Sequence, residues 1–193
     1  MKEFLFRRGR IQDADAAEAI YTEARQLLRR DGIDQWQHDG PDRNAFLSDV
    51  YKGQSFVLLR EGIIVALAAV IRGPDPTYLQ IENGAWHSEE KYTVIHRVAA
   101  SPDWRGKGAA GILFSAITEM AKDRPYLRID THEDNCRMQR FLEKQGFDRC
   151  GRIYLENGDP RIAVDRLPND VKKDPNLSFS DTGNGFISIV WEE

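Results

Sequence analysis

The sequence predicts a single α/β domain built on a mixed, mostly antiparallel sheet flanked by helices. Two dipeptides that favour tight turns, Glu61-Gly62 and Asn157-Gly158, each separate two apolar segments, an arrangement typical of β-hairpins. Between them, residues 94–111 change from a strand-like apolar run to apolar positions three and four residues apart, which indicates a strand, a turn and a helix. The chain has 193 residues, of which 41% are hydrophobic, enough for one domain with a substantial core.

Composition and charge limit the functions that the chain can have. The net charge of −4 provides no overall basic field for nucleic acid, and no apolar run is long enough to cross a membrane. The N-terminal residues lack the apolar core of a secretory signal. Cys136 and Cys150 are too few for a disulfide framework, and no C-x-x-C pair or close group of histidines indicates zinc. We therefore expect a cytoplasmic protein without a metal, a membrane or a nucleic acid as partner.

The first half of the chain predicts three strands and two helices. Gly32 and Gly53 mark the ends of the helices, and Pro41 favours the first turn of the second one. The predicted elements are a strand at residues 4–8, a helix from 13 or 15 to 32, a loop at 33–38, a helix at 41–53 and strands at 56–59 and 63–71. The connection that follows, residues 73–91, is long, and such connections often carry function.

The second half predicts strands and helices in alternation, then a hairpin. The predicted elements are a strand at residues 93–98, a helix at 109–121, a strand at 126–132, a helix at 135–145 and strands at 150–155, 161–167 and 186–191. Pro168 ends this pattern, so we expect a domain at residues 1–167 and an extension at 168–193. The apolar run from Phe186 to Trp191 must be buried. It pairs either with the edge of its own sheet or, slightly favoured, with a second subunit in a homodimer.

The glycine-rich turn that begins at Arg105 has three interpretations. It is a plain turn ahead of a core helix, as most such turns are. It is a dinucleotide site of an oxidoreductase, because residues 106–111 satisfy G-x-G-x-x-G and Asp130 follows about 20 residues on, although five residues separate the strand from the first glycine. Or it holds the pyrophosphate of coenzyme A, since bare N–H groups at a helix N-terminus beside Arg105 and Lys107 attract phosphate.

This turn and a later helix together resemble the GCN5-related N-acetyltransferase (GNAT) superfamily, over roughly residues 3–167. The family motif Q/R-x-x-G-x-G/A is matched by Arg105, Gly108 and Ala110. The closing helix of the family, N-x-x-A-x-x-x-Y-x-K-x-G-F, is matched by Asn135, Lys144, Gly146 and Phe147. The chain departs from that pattern at Met138, where Ala is usual, and at Leu142, where Tyr is usual.

The resemblance implies an N-acetyltransferase that uses acetyl-CoA and whose sheet is splayed between the fourth and fifth strands. It implies that the backbone of Val98, Ala99 and Ala100 pairs with the pantetheine arm, that one N–H group there polarises the thioester carbonyl, and that Asn135 reaches the same arm. The expected pyrophosphate cradle consists of Arg105, Gly106, Lys107, Gly108, Ala109 and Ala110.

Transfer to an amine requires the neutral amine, so a positioned base is useful. With a pKa of about 10.4, on the order of one amine in a thousand is neutral at pH 7, and a base contributes about 10²–10⁴-fold in rate. Asp130 lies five residues before Asn135, where ribosomal-protein acetyltransferases of the superfamily have a Glu base. A carboxylate at a strand end can equally be structural, and His132 and His96 are the other titratable candidates.

The remaining candidates concern the leaving thiol and the acceptor. Leu142 cannot protonate the departing thiolate as the family Tyr does, and Tyr154 on the following strand is a candidate replacement. The same departure keeps a catalytically weak acyl-CoA-binding module as an alternative to an enzyme. The acceptor, a small-molecule or peptide amine, is expected between the first two helices and the 73–91 connection. The wall candidates there are Gln35, Trp36, Tyr78, Trp86 and His96.

Overall fold

The computed structural model describes residues 1–192, which contain four α-helices and nine strands. The helices are α1 (Ala14–Arg30), α2 (Arg43–Tyr51), α3 (Ala109–Met120) and α4 (Cys136–Lys144). The strands are β1 (Lys2–Arg8), β2 (Ser55–Arg60), β3 (Ile63–Arg72), β4 (Tyr92–Ala100), β5 (Tyr126–Thr131), β6 (Asp148–Tyr154), β7 (Pro160–Arg166), β8 (Leu177–Asp181) and β9 (Phe186–Trp191). No described helix is both long and apolar enough to cross a membrane.

The nine described strands form one sheet in the order β6-β7-β5-β4-β3-β2-β1-β9-β8. Within the described chain, β4 and β5 are the only parallel neighbours, and the other neighbours are antiparallel. The prediction of a mixed, mostly antiparallel sheet is therefore confirmed. A dinucleotide-binding fold needs several consecutive parallel strands, so this sheet excludes that interpretation of the glycine-rich turn.

Helices cover both faces of the sheet, and successive strand residues point to opposite faces. On one face, Phe114 of α3 is fully buried in a cluster that also contains Leu58 of β2. On the other face, Tyr21 of α1 packs in a cluster with Val57, the neighbour of Leu58. Burial on both faces explains why β2 and β3 are continuously apolar apart from polar residues at their ends, rather than alternating.

Helix α1 begins at Ala14, between the two predicted starts, and α2 begins slightly later than the sequence predicts. Helix α2 begins at Arg43, because the carboxylate of Asp42 accepts a hydrogen bond of 2.8 Å from the N–H of Ala45 and caps the helix. Asp13 precedes α1 without capping it by its side chain. Its carboxylate instead accepts two hydrogen bonds, of 2.6 and 2.9 Å, from the guanidinium of Arg7 in β1, so it ties the helix to the sheet.

Strands β4 and β5 diverge after a short paired segment. The pairing ends at Val94 opposite Arg128, although β4 continues to Ala100 and β5 to Thr131. Arg97 in β4 has a φ of +53° at a register shift between β3 and β4. Such a bulge bends a strand and redirects its backbone groups. The splay between the fourth and fifth strands is therefore confirmed.

The C-terminal residues extend the same sheet. Strand β9 pairs with β1, from Lys2 opposite Trp191 to Arg7 opposite Phe186, and β8 covers its other edge. Ile189 is fully buried in the cluster that contains α3. The favoured expectation of strand addition to a second subunit is thus corrected, because the edge that β9 covers belongs to its own chain. The sequence did not predict β8, because its five residues include only two apolar ones.

Candidate active site

The turn between β4 and α3 exposes backbone N–H groups at the positive end of α3. Gly106 and Gly108 have φ values of +72° and +89°, which glycine adopts without steric strain. Gly108 is the N-cap of α3, and no side chain in the described chain caps that end. The first N–H groups of a helix have no partner within it, so this turn can bind a phosphate.

The guanidinium of Arg105 lacks the partner that a buried cation normally has. Its Nη2 atom is buried and has no hydrogen-bond partner within residues 1–192. Burial lowers the pKa of Arg105; Glu23 opposes that effect, whereas Arg30 and Arg137 add to it. A bound anion would satisfy this guanidinium, so the residues of the turn fit a pyrophosphate.

The backbone of β4 beyond Val94 has one edge that is unpaired within the described chain. Ala99 and Ala100 pair with β3 on the opposite edge. Successive residues of a strand direct their N–H and C=O groups to opposite sides, so part of the backbone at residues 98–100 faces the splay. This edge can accept an extended polar chain such as a pantetheine arm.

An ion pair between Arg97 and Asp49 holds the bulge of β4. The guanidinium donates hydrogen bonds of 2.8 and 2.6 Å to the two carboxylate oxygens of Asp49 in α2, whose side chain is 5% exposed. A positive φ in a residue with a side chain is costly and persists only when its surroundings fix it. Helix α2 therefore anchors β4 where it turns away from β5.

Asp130 lies near the end of β5, and its carboxylate has partners on three other elements. Its Oδ2 accepts a hydrogen bond of 2.7 Å from the Tyr78 hydroxyl and lies 3.7 Å from Nδ1 of His96. Its Oδ1 lies 4.0 Å from Nε of Arg161 in β7. Burial raises the pKa of Tyr78, and the negative charge of Asp130 raises it further, so the phenol stays protonated as a donor.

His96 connects Asp130 to a second carboxylate. Its Nε2 lies 2.9 Å from Oδ2 of Asp75, whose side chain is buried. Burial raises the pKa of Asp75, but the hydrogen bond to His96 and the bonds to Thr77 outweigh burial and leave the pKa below its usual value. Asp75, His96 and Asp130 thus form a chain of titratable groups that begins in the 73–91 connection and ends in the splay.

Tyr78 and Trp86, which the sequence predicts to line the acceptor site, lie beside these three titratable residues. Their ring centroids are 5.2 Å apart, and Trp86 Nε1 donates to the carbonyl of Tyr78 at 3.1 Å. The guanidinium of Arg128 lies 4.2 Å from the centroid of the Trp86 ring. The structure therefore brings Tyr78 and His96 to Asp130, and Trp86 packs against Tyr78.

Gln35 contacts the residue that caps α4, whereas Trp36 packs against α1. Asn135 donates from Nδ2 to Oε1 of Gln35 at 2.8 Å, and its Oδ1 accepts from the N–H of Met138 at 3.1 Å as the cap of α4. Trp36 has a φ of +66° and packs edge-on against Tyr21 of α1. The structure therefore joins one predicted acceptor residue, Gln35, to one predicted cofactor residue, Asn135.

Tyr154 lies on the opposite face of the sheet from Asp130. Its neighbour Ile153 pairs with Arg161, the residue that approaches Asp130, and adjacent strand residues face opposite sides. Tyr154 is 43% exposed, and its hydroxyl donates to Glu82 at 3.2 Å. The structure thus does not bring Tyr154 to Asp130.

His132 lies in the turn between β5 and α4. Its Nδ1 accepts a hydrogen bond of 3.2 Å from the N–H of Asp134 and lies 3.7 Å from the carboxylate of that residue. Within the described chain its side chain forms no hydrogen bond or ion pair with Asp130, and the two side chains have separate partners. His96 is therefore the histidine that the fold places beside Asp130.

Three relevant residues have sequence signals too weak to identify them. Asp75 lies within the long connection, and Arg161 is one of three charged residues in β7. Asp49 is an ordinary helix residue by sequence, and only the fold pairs it with Arg97.

Leu142 is 1% exposed in the α3 cluster, so the position of the family Tyr is here part of the core.

A splayed, mostly antiparallel sheet with a bare turn ahead of α3 defines a GNAT fold, and the comparisons agree. Residues 21–147 match the model of the acetyltransferase (GNAT) family. The chain is 34% identical to an acetyltransferase of the GNAT family from Streptococcus agalactiae 2603, with a TM-score of 0.79, over 89% of this chain and 96% of that chain. The chain belongs to the GNAT acetyltransferase family.

More distant structures share the fold. A ribosomal-protein-alanine N-acetyltransferase from Brucella melitensis is 19% identical, with a TM-score of 0.60 over 84% of this chain and 98% of that chain. A GNAT-like decarboxylase in complex with isobutyryl-CoA is 19% identical, with a TM-score of 0.61 over the same shares of the two chains. No curated protein matches the chain significantly.

Proposed function

We propose that the protein is an N-acetyltransferase that moves an acetyl group from acetyl-CoA to an amine of a small molecule or peptide, with Asp130 as the base. The observation that carries this proposal is the Asp130 carboxylate near the end of β5, across the splay from the unpaired edge of β4. Membership of an acyltransferase family supports the reaction class.

The residues at the turn and on β4 suit the two ends of the donor. Acetyl-CoA supplies an acetyl group activated as a thioester. The N–H groups of Gly106, Gly108, Ala109 and Ala110 would hold its pyrophosphate together with the Lys107 cation and the Arg105 guanidinium, whose buried Nη2 has no hydrogen-bond partner in the described chain. The backbone at residues 98–100 would hold the pantetheine arm, and one N–H group there would stabilise negative charge on the reacting carbonyl oxygen. Asn135 would reach this arm by exchanging or sharing its bond to Gln35.

Asp130 would accept the proton of the attacking amine. One C–N bond forms and one C–S bond breaks in the transfer, and the amine loses a proton that a base must receive. The Tyr78 hydroxyl orients the carboxylate by its hydrogen bond of 2.7 Å. Asp75 fixes the orientation of His96, whose Nδ1 lies 3.7 Å from the Asp130 carboxylate, so His96 would position this base.

A screen of amines, with the release of the CoA thiol as the readout, tests this function. With a responsive amine, Asp130→Asn should lower turnover by about 10²–10⁴-fold and leave the affinity for acetyl-CoA unchanged. Asp134→Asn is the matched control, since its carboxylate is 67% exposed four residues further along the chain, and it should turn over normally.

Two results would contradict the proposal in distinguishable ways. Binding of acetyl-CoA without thiol release for any amine would favour the catalytically weak acyl-CoA-binding module. Normal turnover in Asp130→Asn would keep the enzyme but give Asp130 a structural role.

A further inference from the structure

Three side chains with metal-ligand chemistry converge away from the splay. His87 lies in the 73–91 connection, Cys150 in β6 and Asp165 in β7. One atom of each, the imidazole Nδ1 or Nε2, the Sγ and a carboxylate oxygen, lies within 4.8 Å of the other two. Cys150 and Asp165 are buried, whereas the His87 side chain is 45% exposed. The cluster therefore has a buried floor and one side open to solvent.

Hydrogen bonds from the Tyr126 hydroxyl and the His87 backbone already orient the carboxylate of Asp165. Its Oδ2 accepts from the Tyr126 hydroxyl and, at 2.9 Å, from the backbone N–H of His87. Its Oδ1 lies 2.7 Å from Nδ1 of His87. Metal-binding carboxylates are typically held by such outer hydrogen bonds, which leave one oxygen for the ion.

The two separations that involve His87 Nδ1 can be compared with those of a tetrahedral site. With metal–ligand distances of about 2.0–2.3 Å, neighbouring ligand atoms of a zinc ion lie roughly 3.3–3.6 Å apart. Cys150 Sγ lies 3.4 Å from His87 Nδ1, which already fits. The Nδ1–Oδ1 separation would have to widen by about 0.6 Å, as an ion replaces the proton between these two atoms.

We propose that His87, Cys150 and Asp165 form a binding site for a divalent transition-metal ion of the zinc class, with water as the fourth ligand on the open side. A thiolate together with an imidazole favours Zn²⁺ over Mg²⁺ or Ca²⁺, which prefer oxygen ligands. Coordination releases the thiol proton of Cys150 and the proton shared by His87 and Asp165 to solvent. The third ligand, Cys150, distinguishes this cluster from a simple histidine–aspartate hydrogen bond.

The ion would fasten the 73–91 connection to the β6–β7 hairpin. His87 follows Trp86, whose ring contacts Tyr78, and Tyr78 donates to Asp130. The ion would thus stabilise the segment that carries Tyr78, which orients the candidate base. Its three ligands lie outside the turn at Arg105 and outside β4. The site stands whether or not the protein is an acetyltransferase.

Titration of the reduced, untagged protein with Co²⁺ tests the site, because a thiolate bound to Co²⁺ gives a near-ultraviolet charge-transfer band. One equivalent of Co²⁺ should produce the band, and Zn²⁺ should remove it. Cys150→Ser should abolish the band, whereas Cys136→Ser, at the exposed second cysteine, should keep it. His87→Ala should weaken Zn²⁺ binding by about tenfold or more in competition with a chromophoric chelator.

The absence of the band in the wild-type protein would overturn the proposal. So would its survival in Cys150→Ser or its loss in Cys136→Ser. If Cys150→Ser does not fold by circular dichroism, His87→Ala decides, because the His87 side chain is 45% exposed and its backbone N–H still donates to Asp165 in that variant. Unchanged Zn²⁺ affinity in that variant would overturn the site.

Discussion

The hydroxyl of Tyr78 donates a hydrogen bond of 2.7 Å to Oδ2 of Asp130, 52 residues further along the chain. Tyr78 is 1% exposed and lies in the 73–91 connection, whereas Asp130 lies near the end of β5. This bond joins a segment with little regular structure to the strand that borders the splay. The connection is therefore a wall of the candidate site, fixed by a buried side chain.

Tyr78→Phe should lower turnover by about 10–100-fold, because a hydrogen bond to a charged group contributes about 1.5–3 kcal/mol. The ring remains, so the affinity for acetyl-CoA should not change. Steady-state kinetics with a responsive amine measures both quantities. Tyr154→Phe is the control, since its hydroxyl contacts Glu82 on the other face, and it should turn over normally. A large loss in Tyr154→Phe would instead support Tyr154 as the acid for the leaving thiol.

Gly108→Glu should reduce CoA binding by about 100-fold or more in titration calorimetry, because a carboxylate at this turn repels the pyrophosphate. Its φ of +89° should also make the variant less stable by about 1–2 kcal/mol. Gly183→Glu separates the two effects, since its φ is +85° in the β8–β9 turn with no atom of the described chain near an added Cβ. It should lose similar stability and bind CoA normally. Equal loss of binding in both variants would argue against the cradle.

Asp13→Asn should lower the free energy of unfolding at pH 7 by about 3–5 kcal/mol, because it leaves the buried Arg7 without its charged partner. Asp15→Asn is the control: its carboxylate is 88% exposed, so its pair with Arg43 should contribute less than about 1 kcal/mol. Urea unfolding measures both variants. Equal losses would show that burial of the Arg7 pair has little energetic effect.

The loss caused by Asp13→Asn should shrink in acid. Burial raises the pKa of Asp13, but hydrogen bonds from Arg7 and the Arg10 backbone outweigh burial, so the folded pKa lies below the ordinary value of an aspartate. A carboxyl with a lowered folded pKa stabilises the protein above its unfolded pKa, and this stability is lost as the pH falls through the folded pKa. Unfolding measured from pH 7 to below 3.8 should therefore show the two proteins converging. A constant difference would contradict this pKa direction.

Ile189→Ala should lower the free energy of unfolding by about 2–5 kcal/mol, because Ile189 is fully buried in the cluster with α3. Val190→Ala, on the opposite face and partly exposed, should cost about 1 kcal/mol or less. Both variants should sediment as the wild-type protein does, since β9 is paired on both edges within its chain. A micromolar dimer that Ile189→Ala dissociates would restore the second-subunit interpretation.

Local sequence patterns were sufficient to predict the turn at Arg105 and every helix and strand named above except β8. Glycine and proline signals and apolar spacing report on neighbours in sequence, and α3, α4 and both hairpins depend on such neighbours. Strand β8 was missed because its apolar–polar alternation contains only two apolar residues, Leu177 and Phe179, within a polar segment. Its strand conformation depends on β9, which no local pattern in β8 can report.

The sequence by itself determined the fold class, the bare turn ahead of α3 and the carboxylate five residues before Asn135. Only the tertiary structure decided which groups surround that carboxylate: Tyr78, His96 and Arg161 come from three other elements, and Tyr154 faces away. It also decided that β9 covers β1 of its own chain and that His87, Cys150 and Asp165 meet. The physical reason is that strand order, register and side-chain facing arise from packing between distant segments, whereas helix and turn signals are local.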